Sequence, residues 1–238
     1  MSFTKNSIVG EVVVQDYRTA AVFKTRKIDF CCNGNRSIED VCEKQQIDPN
    51  VLIEELEQAV VERESLTPDF QTWDMDLLAD YIEKKHHRYV TKKIPELTAY
   101  LHKVARVHGE LHKELIEIEQ LFLASAQELL AHMEKEEKIL FPYVRKMAAE
   151  STPVQPPFGS VKNPIQMMKQ EHDTEGDRFR KIAELSNNYL PPQEACNTYR
   201  VAFLLLKEFE EDLHLHIHLE NNILFPKAIA AERSHFYA

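Results

Sequence analysis

Glycine is scarce in this chain, with five residues among 238. A fold rich in tight turns, or a nucleotide fold built on glycine-rich loops, usually needs more. Neither a GxGxxG run nor a Walker-type phosphate loop occurs. Positive charge is also in deficit, 29 Lys and Arg against 39 acidic residues, for a formal net charge of -10. A general nucleic-acid binder needs a cationic face for the phosphates, so nucleic acid is not an expected partner. No apolar run approaches the roughly 18 residues of a membrane span. The start, MSFTKNSIVGEVVVQD, lacks both the basic residues and the long apolar stretch of a secretory signal. These absences predict a cytoplasmic protein that enters no membrane.

What remains is a composition of long helices, 43% hydrophobic and therefore able to bury a core. Two Pro/Ser/Thr-rich breaks divide the chain, at 65–68 and 151–160, with a lesser one at Pro191-Pro192. Between them apolar residues recur at three- and four-residue spacing. That spacing predicts helix A from about Trp73 to Val107, B from about Glu110 to Ala148, C from about Pro164 to Asn188 and D from about Gln193 to Ala231. Gly109 supplies the A–B turn. The expected fold is all-α: an up-down four-helix bundle over residues 67–238, preceded by a small helical N-terminal domain, residues 1–66. The latter holds a β-branched stretch (Ile8, Val9, Val12, Val13, Val14) and a helix from about Pro49 to Glu64.

The bundle carries an internal repeat. His132 to Pro142 in helix B and His216 to Pro226 in helix D agree at six of eleven positions: His, Glu four residues later, then Ile-Leu-Phe-Pro. Leu121 and Leu129 likewise match Leu205 and Leu213, a period of 84 residues. At i and i+4, His132 and Glu136 share one helix face, as do His216 and Glu220. Leu129 and Ile139 lie on that face in B, and Phe209, Leu213 and Ile223 in D, so both pairs are expected to point inward. A buried carboxylate is costly unless paired or metal-bound. The Ile-Leu-Phe-Pro tails are expected to pack the core and end the helices.

Antiparallel hairpins set residues equidistant from the turn at the same height. The A–B turn places His86-His87 level with His132, and the C–D turn places His172 level with His216. Residues seven and ten beyond His172 are Phe179 and Ile182; the same offsets from His87 give Ile94 and Leu97, but from His86 give Lys93 and Glu96. Ile82, four before His86, favours the other choice. His87 is the preferred first ligand, with His86 as its alternative. Four histidines and two glutamates at one level suit a pair of iron or manganese ions. The alternative is that these are packing residues, as a lone histidine on an apolar face usually is; six at one height, within a duplication, argue against it. His102, His108, His112, His214, His218 and His235 are expected to be non-ligands.

The vicinal pair Cys31-Cys32 is the second feature. Ser37 and Asp40 read as a helix N-cap, so the cysteines precede a helix N-terminus that favours a thiolate. Adjacent cysteines bridge each other only under strain, and the pair lacks the CxxC spacing of zinc sites and thioredoxins. Free thiols are expected. Two small buried hydrophobes would be the plain reading, but the Asn33-Gly34-Asn35 turn points to a surface position. Cys42 and Cys196 are expected to be structural.

The repeated His-plus-HxxxE hairpin resembles hemerythrin-like domains. Together with Cys31-Cys32-Asn33-Gly34-Asn35 in front, Cys196-Asn197-Thr198-Tyr199-Arg200 before helix D and the closing His216 to Pro226 motif, the whole chain resembles the repair-of-iron-centres family of iron–sulfur cluster repair proteins. The resemblance implies a cytoplasmic stress-response protein with two non-haem irons, oxo- or hydroxo-bridged. Its ligands would be His87, His132, Glu136, His172, His216 and Glu220, with Cys31 and Cys32 as the functional cysteine pair. The family's commoner Cys-Cys-Gly-Gly reads Cys-Cys-Asn-Gly here. Damaged or apo iron–sulfur proteins would be the partners, nitric oxide or oxygen the small-molecule ligands, and a homodimer one arrangement, although no segment marks an interface. In this reading an exchangeable iron is donated to a damaged cluster, and the cysteines could accept iron in transit, carry a nitrosyl or persulfide, or dock the client. Two rival functions are an oxygen or nitric-oxide binder or sensor, and a di-iron nitric oxide reductase; neither needs the cysteines.

Overall fold

The computed structural model describes residues 3–61, 68–149 and 156–237. The break at 65–68, much of that at 151–160, the end of the 49–64 helix and the division at 66/67 lie outside the described residues. Among the described residues the regular structure is helical, with one isolated bridge between Ile8 and Ser37.

Four short helices come first: α1 (Val9–Gln15), α2 (Thr19–Thr25), α3 (Ile38–Gln45) and α4 (Pro49–Val61). The β-branched stretch folds as α1 because Val9, Val12 and Val13 sit three and four residues apart and bury together. Ser37 caps α3 as expected. Its Oγ accepts the Asp40 N–H at 3.1 Å, and Asp40 Oδ2 accepts the Ser37 N–H at 3.0 Å, which satisfies two otherwise free donors.

Four long helical segments follow. Segment A is α5 (Met75–Tyr81), a π turn (Ile82–His87) and α6 (Arg88–His108); B is α7 (Glu114–Lys135), a π turn (Glu136–Leu140) and α8 (Phe141–Ala149). C is α9 (Lys162–Leu185); D is α10 (Asn197–Leu219), a π turn (Glu220–Leu224) and α11 (Phe225–Tyr237). Helix C stops at Leu185, short of Asn188, because Asn187, Asn188 and Tyr189 adopt positive φ and turn the chain. Helix D starts later than Gln193, since Cys196 is extended.

Two expectations for the Ile-Leu-Phe-Pro tails are corrected. Pro142 and Pro226 do not end their helices. Each falls in the first turn after a π turn, where the widened backbone tolerates a residue without an N–H, and the helix runs on. Leu140, Phe141, Leu224 and Phe225 are buried, but Ile139 is 48% exposed while its repeat partner Ile223 is 4% exposed. The difference lies in what covers each: α1 packs against the D-segment π turn, whereas Glu137, Lys138 and Ile139 of the B copy face outward.

One apolar core joins α1–α4 (Val9, Phe23, Ile38, Leu52) to the bundle (Phe122, Phe179, Phe209). A second surrounds Phe70, Ile82, Phe141, Leu224 and Phe225 at the other end. Along each long segment, the polar residues of the repeat interrupt the core at one level.

Candidate metal centre

Three of the four segments widen into a π turn beside the histidine and glutamate positions. One extra residue per turn rotates the side chains that follow, a device often found at functional sites. In segment A it turns both members of the doubled histidine inward: His86 and His87 are 0% and 2% exposed.

His87, His132, Glu136, His172, His216 and Glu220 are all buried and converge. Their ligand atoms fall into two groups, His87, Glu136, His216, Glu220 and His132, Glu136, His172, Glu220, each within 4.8 Å of one another. Both glutamates belong to both groups, so two ions would share them as bridges. The Nε2 atoms point inward. His87 and His132 each lie 3.4 Å from Glu136 Oε2; His216 lies 3.1 Å from Glu220 Oε1 and His172 3.2 Å from Glu220 Oε2. Glu136 Oε1 and Oε2, Glu220 Oε2 and His87 Nε2 are buried without a hydrogen-bond partner. Two carboxylates left so under-bonded fit a cation site.

The charges agree. Burial and the neighbouring Glu220 push Glu136 up, but His132 and His87 outweigh them and hold it below its ordinary value. Burial also opposes ionisation of Glu220, yet His216 and His172 keep it well below the usual carboxylate range. His132 resists burial through Glu136 and Glu171 and rises to about 10, while burial lowers His216. A pair of dications would supply positive charge beside these two buried carboxylates.

Outer partners, which sequence reasoning missed, orient the imidazoles. His87 Nδ1 meets Glu137 Oε1 at 2.8 Å, His132 Nδ1 meets Glu171 Oε2 at 2.7 Å and His172 Nδ1 meets Asn221 Oδ1 at 3.0 Å. Such partners fix the ring and tune its basicity. The duplication predicts them: Glu137 and Asn221 each directly follow a repeated glutamate, so each hairpin orients its first histidine with the same position. Glu171 directly precedes His172, and His86 holds the matching place before His87. His86 Nδ1 binds Asp212 Oδ2 at 3.0 Å, its ring lies parallel to His216 at 5.6 Å, and both His86 Nε2 and His216 Nδ1 are buried without a hydrogen-bond partner.

A cavity of about 230 Å³ reaches only one half of the site, lined by His132, His172, Glu128, Glu171, Glu175 and Lys135 among others. His132 and His172 therefore border space that a small molecule could enter. Of the expected non-ligands, His214 and His218 face Phe30, in the loop between α2 and α3, at 6.1 and 5.9 Å. His102, His108 and His112 contact Glu119, Cys196 and Glu114. The His235 side chain lies outside the described residues.

The cysteine pair sits behind His172. Cys32 Sγ donates to the His172 carbonyl at 3.3 Å, and Asn221, besides holding the His172 ring, donates from Nδ2 to the Cys31 carbonyl at 3.2 Å. Asn222 Nδ2 donates to the Phe30 carbonyl at 3.2 Å. The sequence signal was present: neutral Asn221-Asn222 stand where the B copy has Glu137-Lys138. Close approach needs glycine, since a Cβ on Gly176 would lie 3.1 Å from Cys32 Sγ and one on Gly34 would overlap the Phe30 carbonyl.

Two cysteine expectations are corrected. Cys31 is buried at 4% exposure rather than on the surface, and Cys32 is half-buried. Nor does a helix N-terminus make Cys31 a ready thiolate. The Cys32 hydrogen bond, burial and the Asp29 carboxylate push its thiol well above the usual value. Cys42 is buried, whereas Cys196 is exposed with its Sγ 3.2 Å from His108 Nε2. No described helix is long and apolar enough to cross a membrane.

Comparison with known proteins places this site in context. Residues 5–60 match ScdA_N, a domain of unknown function (DUF542), and residues 78–228 match the hemerythrin HHE cation binding domain. The chain is 33% identical over 229 residues to the iron-sulfur cluster repair protein YtfE of Yersinia pestis (strain Pestoides F), covering 96% of this chain and 99% of that one. It is 33% identical over 224 residues to the iron-sulfur cluster repair protein ScdA of Staphylococcus haemolyticus (strain JCSC1435), covering 94% and 98%. With a cation-binding hemerythrin bundle and a cysteine module spanning the full length of such relatives, the chain belongs to the family of iron–sulfur cluster repair proteins.

Proposed function

We propose that this protein repairs iron–sulfur clusters damaged by nitrosative or oxidative stress, drawing on a pair of irons held in the bundle. The carrying observation is the two four-ligand groups that share Glu136 and Glu220; the repair function named for its relatives supports the same reading. His87 and His216 would hold one ion and His132 and His172 the other. When bound, a carboxylate-bridged iron pair supplies redox-active, exchangeable ions with positions open to nitric oxide or oxygen.

The chain's own residues do the rest. Glu137, Glu171 and Asn221 fix three imidazoles. The two apolar cores exclude water from most of the site, while the cavity beside His132 and His172 leaves one half approachable. Residues 1–66 form the module that brings Cys31 and Cys32 to that same half, where they serve transfer to a damaged or apo iron–sulfur protein in the cytoplasm.

Metal content and Mössbauer spectra of anaerobically purified protein test this, together with His132→Ala and Glu220→Ala. About two irons per chain, depleted in both variants, and iron delivery to an apo-cluster protein are expected. Metal retained in both variants would remove the assignment. Full repair by Cys31→Ser/Cys32→Ser would favour the rival gas-binding reading, which needs no cysteine.

A further inference from the structure

Cys31 and Cys32 do more geometrically than adjoin the bundle. Their sulfurs stand 3.8 Å apart, and Asp29 Oδ1 lies 3.4 Å from Cys31 Sγ. All three ligand atoms lie within 4.8 Å of one another. A tetrahedral ion about 2.3 Å from two sulfurs sets them about 3.8 Å apart, and with an oxygen at about 2.0–2.2 Å the sulfur–oxygen edge is about 3.5–3.7 Å. The sulfur–sulfur edge of the cysteine loop therefore already has the length of such a polyhedron, and the sulfur–oxygen edge is within a few tenths of an ångström of it.

The loop is also built to keep them so. Asp29 Oδ1 accepts the Cys31 and Cys32 backbone N–H groups at 3.1 and 3.0 Å, which folds the vicinal residues until both side chains converge. Asp29 Oδ2 is held by Asn33 Nδ2 and Arg180 Nη1, both at 2.8 Å, which fixes the carboxylate's orientation. Gly176 leaves room for Cys32 Sγ against α9. Cys31 is buried and Cys32 half-buried, so a bound ion would keep one side toward solvent.

We propose that Asp29, Cys31 and Cys32 form a second, single-ion metal site that takes a soft or borderline divalent cation through two thiolates and one carboxylate. Its fourth position stays open to an incoming ligand such as a client cysteine. Binding releases one proton from each thiol to solvent and changes no oxidation state. That the physiological cargo is ferrous iron passing from the bundle rests on the repair reading above; the site itself does not.

Cadmium is a suitable probe, because thiolate–cadmium charge transfer absorbs in the ultraviolet and the bundle ligands contain no sulfur. Full-length, metal-free protein carrying Cys196→Ser, which removes the separate Cys196–His108 pair, is titrated with cadmium. The band should saturate at one site per chain. Either Cys31→Ser or Cys32→Ser should raise the cadmium dissociation constant by at least about tenfold, and Asp29→Asn should raise it less. Absence of the band in the Cys196→Ser protein, or its survival in Cys31→Ser/Cys32→Ser, overturns the proposal. The single variants and Asp29→Asn decide the question if the double variant folds poorly. Because cadmium outcompetes ferrous iron at thiolates, iron is tested without cadmium: anaerobic ferrous iron should slow modification of Cys31 and Cys32 by a thiol reagent, and an unchanged rate would remove iron as cargo. Iron content of the bundle, measured separately, reports on the repair reading whichever way the cadmium result falls.

Discussion

Cys32 touches the backbone of His172: its Sγ lies 3.3 Å from the His172 carbonyl oxygen, while Asn221 holds the ring of that histidine and the carbonyl of Cys31 at once. Asn221 is therefore bonded both to the ring of a histidine of the bundle site and to the backbone of the cysteine loop. Asn221→Leu keeps a similar size but removes both hydrogen bonds. Loss of an outer partner to a metal-bound histidine costs about 10–100-fold in metal affinity. We expect a loss of that order at the His132–His172 ion only, visible as a change in one of two Mössbauer signals. Equal change in both would mean that Asn221 serves general packing.

Asn221 also marks where reading the sequence stopped. The heights of the six converging histidines and glutamates were legible because hairpin geometry is simple arithmetic about a turn, and the duplication checked it. The π turns were not: inserting one residue into a helix leaves no side-chain signature. For that reason His86 and His87 looked like alternatives although both turn inward, and Pro142 and Pro226 looked like helix ends. Ile139 and Ile223 were read alike from the repeat, yet only the second lies under α1. That coverage depends on docking of a distant segment, which local periodicity cannot encode.

The doubled histidine separates into two expected roles. His87 Nε2 faces Glu136, whereas His86 holds the sequence position that Glu171 holds in the other half, its ring centroid 5.6 Å from that of His216. His87→Ala should lower iron to about one per chain or less, since an inner ligand is gone. His86→Ala should still fill to about two at excess iron, but with affinity reduced by about tenfold as an outer partner. Chelator competition on both variants measures this, and equal depletion would make His86 a ligand.

Gly176 sits within α9, where alanine is ordinarily favoured over glycine by about 1 kcal/mol. Its added Cβ would lie 3.1 Å from Cys32 Sγ and 3.3 Å from Arg180 Nη1. Gly176→Ala should therefore forfeit the helix gain and push the cysteine loop outward. The expected result is no rise in denaturation midpoint, with faster Cys32 modification by a thiol reagent. Stabilisation by the full helix increment, with unchanged thiol reactivity, would show that the loop yields at no cost.

Stability should also depend on pH through Glu210, away from the metal centre. Burial raises its carboxyl to about 7 against an ordinary 4.5, with Tyr189 and Lys24 opposing the rise. Between those values the folded protein holds a proton that the unfolded chain has lost. Unfolding then releases a proton, so stability is greatest below about 4.5 for this group and falls as pH rises through 7. Allowing for partial exposure, the loss is no more than about 2 kcal/mol. Glu210→Gln, which stays neutral, should flatten this slope and leave the variant more stable than the parent at pH 8, though not at pH 5. Urea denaturation at the two pH values measures the difference. An equal offset at both would mean that the carboxyl is ionised throughout and that solvent, rather than burial, sets its charge.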